Sequence, residues 1–118
     1  MSTVTADSLT SEQVAQLAGV TYRRLNYWTI RGLITPEGDP APGSGNRRRY
    51  HPDTVRLVIA LRLLTDLGME GPRLDRAARQ LAQADWTVPA RFPLDPDRRA
   101  GYILDLPAIT NPRKQGPS

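Results

Sequence analysis

The stretch TSEQVAQLAGVTYRRLNYWTIRG, from Thr10 to Gly32, decides how this chain folds. Thr10 and Gln13 have the Thr-x-x-Gln spacing of a capping box, in which each side chain satisfies a backbone N–H left unpaired at a helix start. Leu9 and Val14 fall at the two positions of a hydrophobic staple, and Val14, Leu17 and Ala18 share one face at helical spacing. Gly19 ends this first helix as a left-handed cap, a conformation that costs glycine least. A second helix follows at once: Thr21 is its N-cap, Val20 and Leu25 its staple, Leu25 and Trp28 its buried side, and Gly32 its stop. Two short helices joined by a three-residue turn containing glycine describe a helix-turn-helix. On this segment alone, an ordinary helical hairpin within a bundle is the alternative.

Beyond Gly32, Thr35 to Gly45 is Pro-, Gly- and acid-containing and reads as a loop. Asn46 to Tyr50 is Arg-rich and ends in an aromatic; beside the turn Gly43-Ser44-Gly45 it fits a wing hairpin, with a solvated loop as the alternative. His51 caps a third helix that has Pro52 at its first position, where the missing N–H costs nothing. This helix runs to about Leu67, ends at Gly68, and is apolar over more than one face through Val55, Val58, Ile59, Leu61, Leu63 and Leu64. A fourth helix spans about Pro72 to Ala84, with Leu74, Ala77, Ala78 and Leu81 inward. After Trp86, two apolar pieces, Ala90 to Leu94 and Tyr102 to Leu106, flank Asp95-Pro96-Asp97 and predict a β-hairpin. The expected fold class is mainly α: a winged helix-turn-helix with about four helices, a small wing hairpin and a C-terminal β-hairpin. Residues 1–8 are expected to be a disordered leader, 9–84 the winged domain, 85–106 an extension carrying the hairpin, and 107–118 a disordered tail.

Composition narrows the function. With 118 residues, 39% of them apolar, the chain has room for one domain with a modest core. Its longest apolar run, Leu57 to Leu61, is far short of the ~20 residues that span a bilayer, so a cytoplasmic, nucleoid-associated protein without a membrane partner is expected. The absence of cysteine excludes disulfides, thiolate metal sites and cysteine nucleophiles, and His51 is the only histidine. Asp95 and Asp97 read as turn chemistry around Pro96, so no catalytic residue, metal or cofactor is expected. The charge, by contrast, is concentrated. From Thr21 to Tyr50 lie six arginines (Arg23, Arg24, Arg31, Arg47, Arg48, Arg49) against Glu37 and Asp39; six minus two is +4, equal to the net charge of the whole chain. A preference for Arg over Lys explains the residue type but not the clustering, which points to an anionic partner, with nucleic acid first in line.

Reading DNA sequence requires side chains that hydrogen-bond base edges from a helix in the major groove, and cations or N–H donors on the flanking phosphates. With Leu25 and Trp28 turned inward, Tyr22, Arg23, Asn26 and Tyr27 lie on the other faces of the second helix. Long polar and aromatic groups suit direct readout; a merely solvated face is the alternative.

The stretch from Leu9 to about Leu81 resembles the DNA-binding domain of the MerR family. The resemblance is carried by Val14-Ala15-Gln16-Leu17-Ala18-Gly19-Val20, by Tyr22-Arg23-Arg24-Leu25-Asn26-Tyr27-Trp28, and by Arg31-Gly32-Leu33-Ile34 followed by Pro36. Gly43-Ser44-Gly45, Arg48, Tyr50, Leu63-Leu64 and Leu67-Gly68 continue it. It implies a recognition helix in the major groove and a wing whose Arg48 and Tyr50 approach the phosphates. Of the aromatic pair Tyr27 and Trp28, one would pack inside and the other reach the backbone. Asn26 stands where the family commonly has Arg, a backbone contact that Arg23 or Arg24 would replace. Residues and resemblance together assign base reading to Tyr22, Arg23, Arg24 and Asn26, and phosphate binding to Thr21, Tyr27, Arg31, Arg47, Arg48, Arg49 and Tyr50.

Family regulators continue from the fourth helix into a long helix that forms a coiled coil with a second subunit, followed by a sensing domain. Here Pro89, Pro93 and Pro96 preclude such a helix, so neither is expected, and self-association is expected only on DNA. Three readings stay open. The first is a sequence-specific transcriptional regulator, bacterial or phage. The second is an architectural DNA-binding factor for recombination or packaging, of the excisionase or phage terminase small-subunit type, with a protein partner docked on the extension from Trp86 to Ile109. The third is a protein-interaction module using the apolar third helix. Trp86, Phe92 and Tyr102 either form that docking surface or complete the core.

Overall fold

The helix signals read from the sequence are realised as hydrogen bonds. The structure, a computed structural model, describes residues 7–37, 48–94, 97 and 99–109. Thr10 Oγ1 accepts from Gln13 N at 3.1 Å while Thr10 N donates to Gln13 Oε1 at 2.9 Å, a complete capping box that opens α1 (Ser11–Ala18). Gly19 closes it at φ 76°, where a side chain would be strained. Thr21 Oγ1 accepts from Arg24 N at 3.0 Å and starts α2 (Tyr22–Ile30). Replacing Thr10 by Ala leaves the Gln13 backbone N–H without its partner. We expect a loss of about 1 kcal/mol, read as a lower denaturation midpoint at unchanged slope.

Two longer helices, α3 (Asp53–Asp66) and α4 (Pro72–Ala82), complete the mainly α fold. His51 does cap α3, its Nδ1 accepting from Asp53 N at 3.0 Å, but Pro52 is the cap position itself rather than the first helical residue. At the end of α4, the N–H groups of Gln83 and Ala84 turn back to the carbonyls of Gln80 and Leu81, three residues earlier. That tightening stops the helix two residues before Ala84.

Two small antiparallel sheets frame the helices. In the first, β1 (Leu9–Thr10) pairs with β2 (Arg49–Tyr50), and Glu37 bridges Arg49 from the other side. The base of the wing is therefore tied both to the residues just before α1 and to Glu37. The strand at Leu9–Thr10 was not expected, because two residues show no alternation. In the second sheet, β3 (Ala90–Pro93) pairs with β4 (Gly101–Leu104), which realises the predicted hairpin. A 3-10 turn follows at Leu106–Ala108. The expectations for residues 1–6, for Gly43, Ser44, Gly45 and Arg47, for Asp95 and Pro96, and for 110–118 lie outside the described residues.

One apolar cluster holds these elements together. Val14 and Ala18 of α1, Leu25 and Trp28 of α2, Val58 and Leu61 of α3, and Leu74 and Leu81 of α4 are all buried in it. Phe92, Leu104 and Leu106 of the extension join the same cluster, with Trp86 and Tyr102 half-buried against it. Tyr102 also fastens the hairpin to the end of α3 by donating its hydroxyl to the Leu67 carbonyl at 2.6 Å. At the other end of the domain, Arg49 donates to Ser8 Oγ and to the Ser8 carbonyl, each at 3.0 Å.

Candidate nucleic-acid interface

Leu25 and Trp28 anchor α2 in the core, and that facing fixes what the helix shows to solvent. Helical spacing places Arg23, Tyr27 and Ile30 on one ridge, and all three are exposed. Tyr22 and Arg24 flank the ridge at the N-terminal end and are exposed as well. Among the described residues, the side chains of Tyr22 and Arg23 have no hydrogen-bond or ion-pair partner. Arg24 is different, with its guanidinium over the Trp28 ring at 5.8 Å from the centroid. Ile30, 69% exposed, was missed in the sequence because apolar residues were assigned to the buried side. Its position seven residues after Arg23 was the available signal.

The wing strand is fastened to the same helix at two points. Arg48 Nη1 donates to Asn26 Oδ1. Tyr50 lies 2.8 Å from Thr29 Oγ1, and that hydroxyl already donates to the Leu25 carbonyl at 2.9 Å. The Tyr50 hydroxyl is therefore the donor in its contact. Arg48 immediately precedes β2 and Tyr50 ends it, two residues apart, while Asn26 and Thr29 are three apart on one face of α2. The match of these two spacings is a signal that was present in the sequence and not used.

Two of the expected contact residues are engaged within the fold. Tyr50 has no exposed surface, and its hydroxyl bonds Thr29, so its side chain packs in the core. Asn26 is half-buried, and its oxygen accepts from Arg48. The other phosphate candidates fall in distinct places. Thr21 is exposed at the helix start and keeps its own O–H free to donate, since its oxygen accepts from Arg24 N. Arg49 is half-buried and spends two donors on Ser8, a neutral partner that leaves its charge in the field of the site.

Arg31 closes the C-terminal end of α2. It donates to the Tyr27 hydroxyl at 3.0 Å and pairs with Asp75 of α4 at 3.1 Å. Those contacts, the Tyr27 phenol first and Asp75 after it, raise its pKa above the ordinary arginine value. Its cation is thus partly offset by Asp75, whereas those of Arg23 and Arg24 are not. Among the described residues, no cluster of three or more His, Asp or Glu could hold a metal ion, and no helix is long and apolar enough to cross a membrane.

A family model described as MerR HTH family regulatory protein matches residues 9–81, from β1 to the end of α4. Among curated proteins, the chain is similar to uncharacterized HTH-type transcriptional regulators of Mycobacterium bovis and Mycobacterium tuberculosis, each 34% identical over 68 residues. That alignment covers 58% of this chain and 30% of each relative, so the chain spans about a third of the relatives' length. No solved structure matches the chain.

Proposed function

This chain belongs to the MerR HTH family of regulatory proteins, and on that premise we propose that it binds double-stranded DNA sequence-specifically as a transcriptional regulator. The observation that carries the reading is the exposed ridge of α2, with Tyr22 and Arg23 unpaired at its N-terminal end and Arg48 of the wing held beside it by Asn26. In a helix-turn-helix the N-terminal residues of the second helix meet base edges. Arg23 is then the bidentate reader of guanine, Tyr22 and Arg24 contact neighbouring bases or phosphates, and Ile30 offers an apolar contact to a thymine methyl. Arg48, Arg49, Arg31, Thr21, Tyr27 and Arg47 supply contacts to the backbone.

The test separates reading from positioning. Arg23→Ala should reduce discrimination between cognate and unrelated duplexes by about 1–3 kcal/mol. Arg48→Ala should instead weaken all duplexes alike and lower the slope of log K against log salt by about 0.9. Titrations of labelled duplexes at several salt concentrations measure both. Binding that barely changes between low and moderate salt would sink the proposal. A genome-wide footprint places the role: clustering at promoters fits a transcriptional regulator, and clustering at one attachment or packaging site fits an architectural factor.

A further inference from the structure

The hairpin of β3 and β4 has two outer edges, and they differ. Leu94 N donates to the Ala100 carbonyl at 2.8 Å, which makes these two a hydrogen-bonded pair in the register that sets Arg91 opposite Ile103. Alternation along an antiparallel ladder then turns the backbone groups of Arg91 and Pro93 away from β4, and those of Gly101 and Ile103 away from β3. The β3 edge offers fewer free groups. Proline has no N–H at 93, and the Arg91 carbonyl accepts from Gln80 Nε2 at 2.8 Å. The β4 edge is open: Gly101 and Ile103 are exposed, Ile103 to 61%, and among the described residues nothing outside the hairpin bonds to them. An open edge bearing an exposed β-branched residue is a template for another extended strand.

The residues around β4 indicate which strand. Arg99 precedes it and Asp105 follows it, and both are exposed. Consider a second copy laid antiparallel along the edge with Tyr102 on the two-fold axis. Gly101 then faces the second copy's Ile103. Arg99 faces the second copy's Asp105, and symmetry repeats both pairs. Arg99 also meets Asp97 of its own chain at 3.1 Å, a contact exposed on both sides and therefore of little energy.

We propose that two copies of this chain pair edge to edge through β4, forming a four-stranded sheet, when they occupy neighbouring DNA sites. The proposal rests on the DNA-binding reading above. A strand of four residues makes few bonds, so the contact is weak for free protein and strong once DNA holds two copies together.

Arg99→Glu and Asp105→Arg test it, because each alone sets like charges opposite each other while a mixed pair restores attraction at both ends. Each variant should lower the cooperativity of binding to a two-site duplex by about fivefold, and their equimolar mixture should recover it. Ile103→Pro, which removes an outward N–H, should abolish cooperativity while one-site binding persists. Cooperativity that is unchanged in both charge variants, or a mixture no better than either alone, overturns the pairing even where one-site binding is intact. If no duplex is bound, the DNA-binding reading fails separately. Sedimentation of the free variants at high concentration then decides the pairing: the mixture must associate more strongly than either variant, and equal association overturns it.

Discussion

Trp28→Ala is expected to cost about 3–5 kcal/mol, a large share of the ~5–15 kcal/mol that keeps a small domain folded. Trp28 is only 3% exposed and is, with Leu25, one of two residues through which α2 reaches the core. Removing the ring leaves a cavity under α2 and takes away the surface on which the Arg24 guanidinium lies. The ridge of Arg23, Tyr27 and Ile30 keeps its direction only while that anchor holds. DNA affinity should therefore fall together with the melting temperature, and Trp28→Phe should recover part of both. A variant that melts normally and loses only DNA affinity would mean that Trp28 touches DNA and that the facing of α2 is wrong.

What could be read from the sequence was local. The capping box at Thr10 and Gln13, the N-cap at Thr21 and the glycine stops act within a few residues, so spacing alone revealed them. The inward set Leu25 and Trp28 followed from helical period, and with it most of the exposed face. The burial of Tyr50 was not legible because its partner, Thr29, lies 21 residues earlier, and nothing near Tyr50 announces it. Asn26 was assigned to bases for a related reason: an amide on an outward face looks available until the wing folds back and Arg48 takes its oxygen. The strand at Leu9–Thr10 was invisible because two residues carry no period. For the extension, the turn around Pro96 announced a hairpin, but whether its aromatics enter the core depends on α3 and α4. Leu67 and Gln80, which hold it there, are not marked by any local pattern.

The hairpin offers the other large effect, and its two faces predict opposite results. Phe92 lies opposite Tyr102 in the sheet, is 2% exposed, and belongs to the same apolar cluster as the helices. Phe92→Ala should cost about 3–5 kcal/mol, as for a large aromatic removed from a well-packed site. Ile103, the neighbour of Tyr102 on the opposite face, is 61% exposed, and Ile103→Ala should stay within about 0.5 kcal/mol of the parent. Thermal or denaturant unfolding of the two variants gives the comparison directly, and hydrogen exchange locates the loss. With Phe92→Ala, protection should fall at the end of α3 as well as in β3 and β4, because Tyr102 connects them through the Leu67 carbonyl. The hairpin is then part of the domain that presents α2, with only its outer face and the β4 edge left to meet another molecule. If Phe92→Ala melts like the parent, the extension is instead a separate element resting on a domain that ends with α4. The aromatic residues from Trp86 onward would then return as a docking surface for a partner protein.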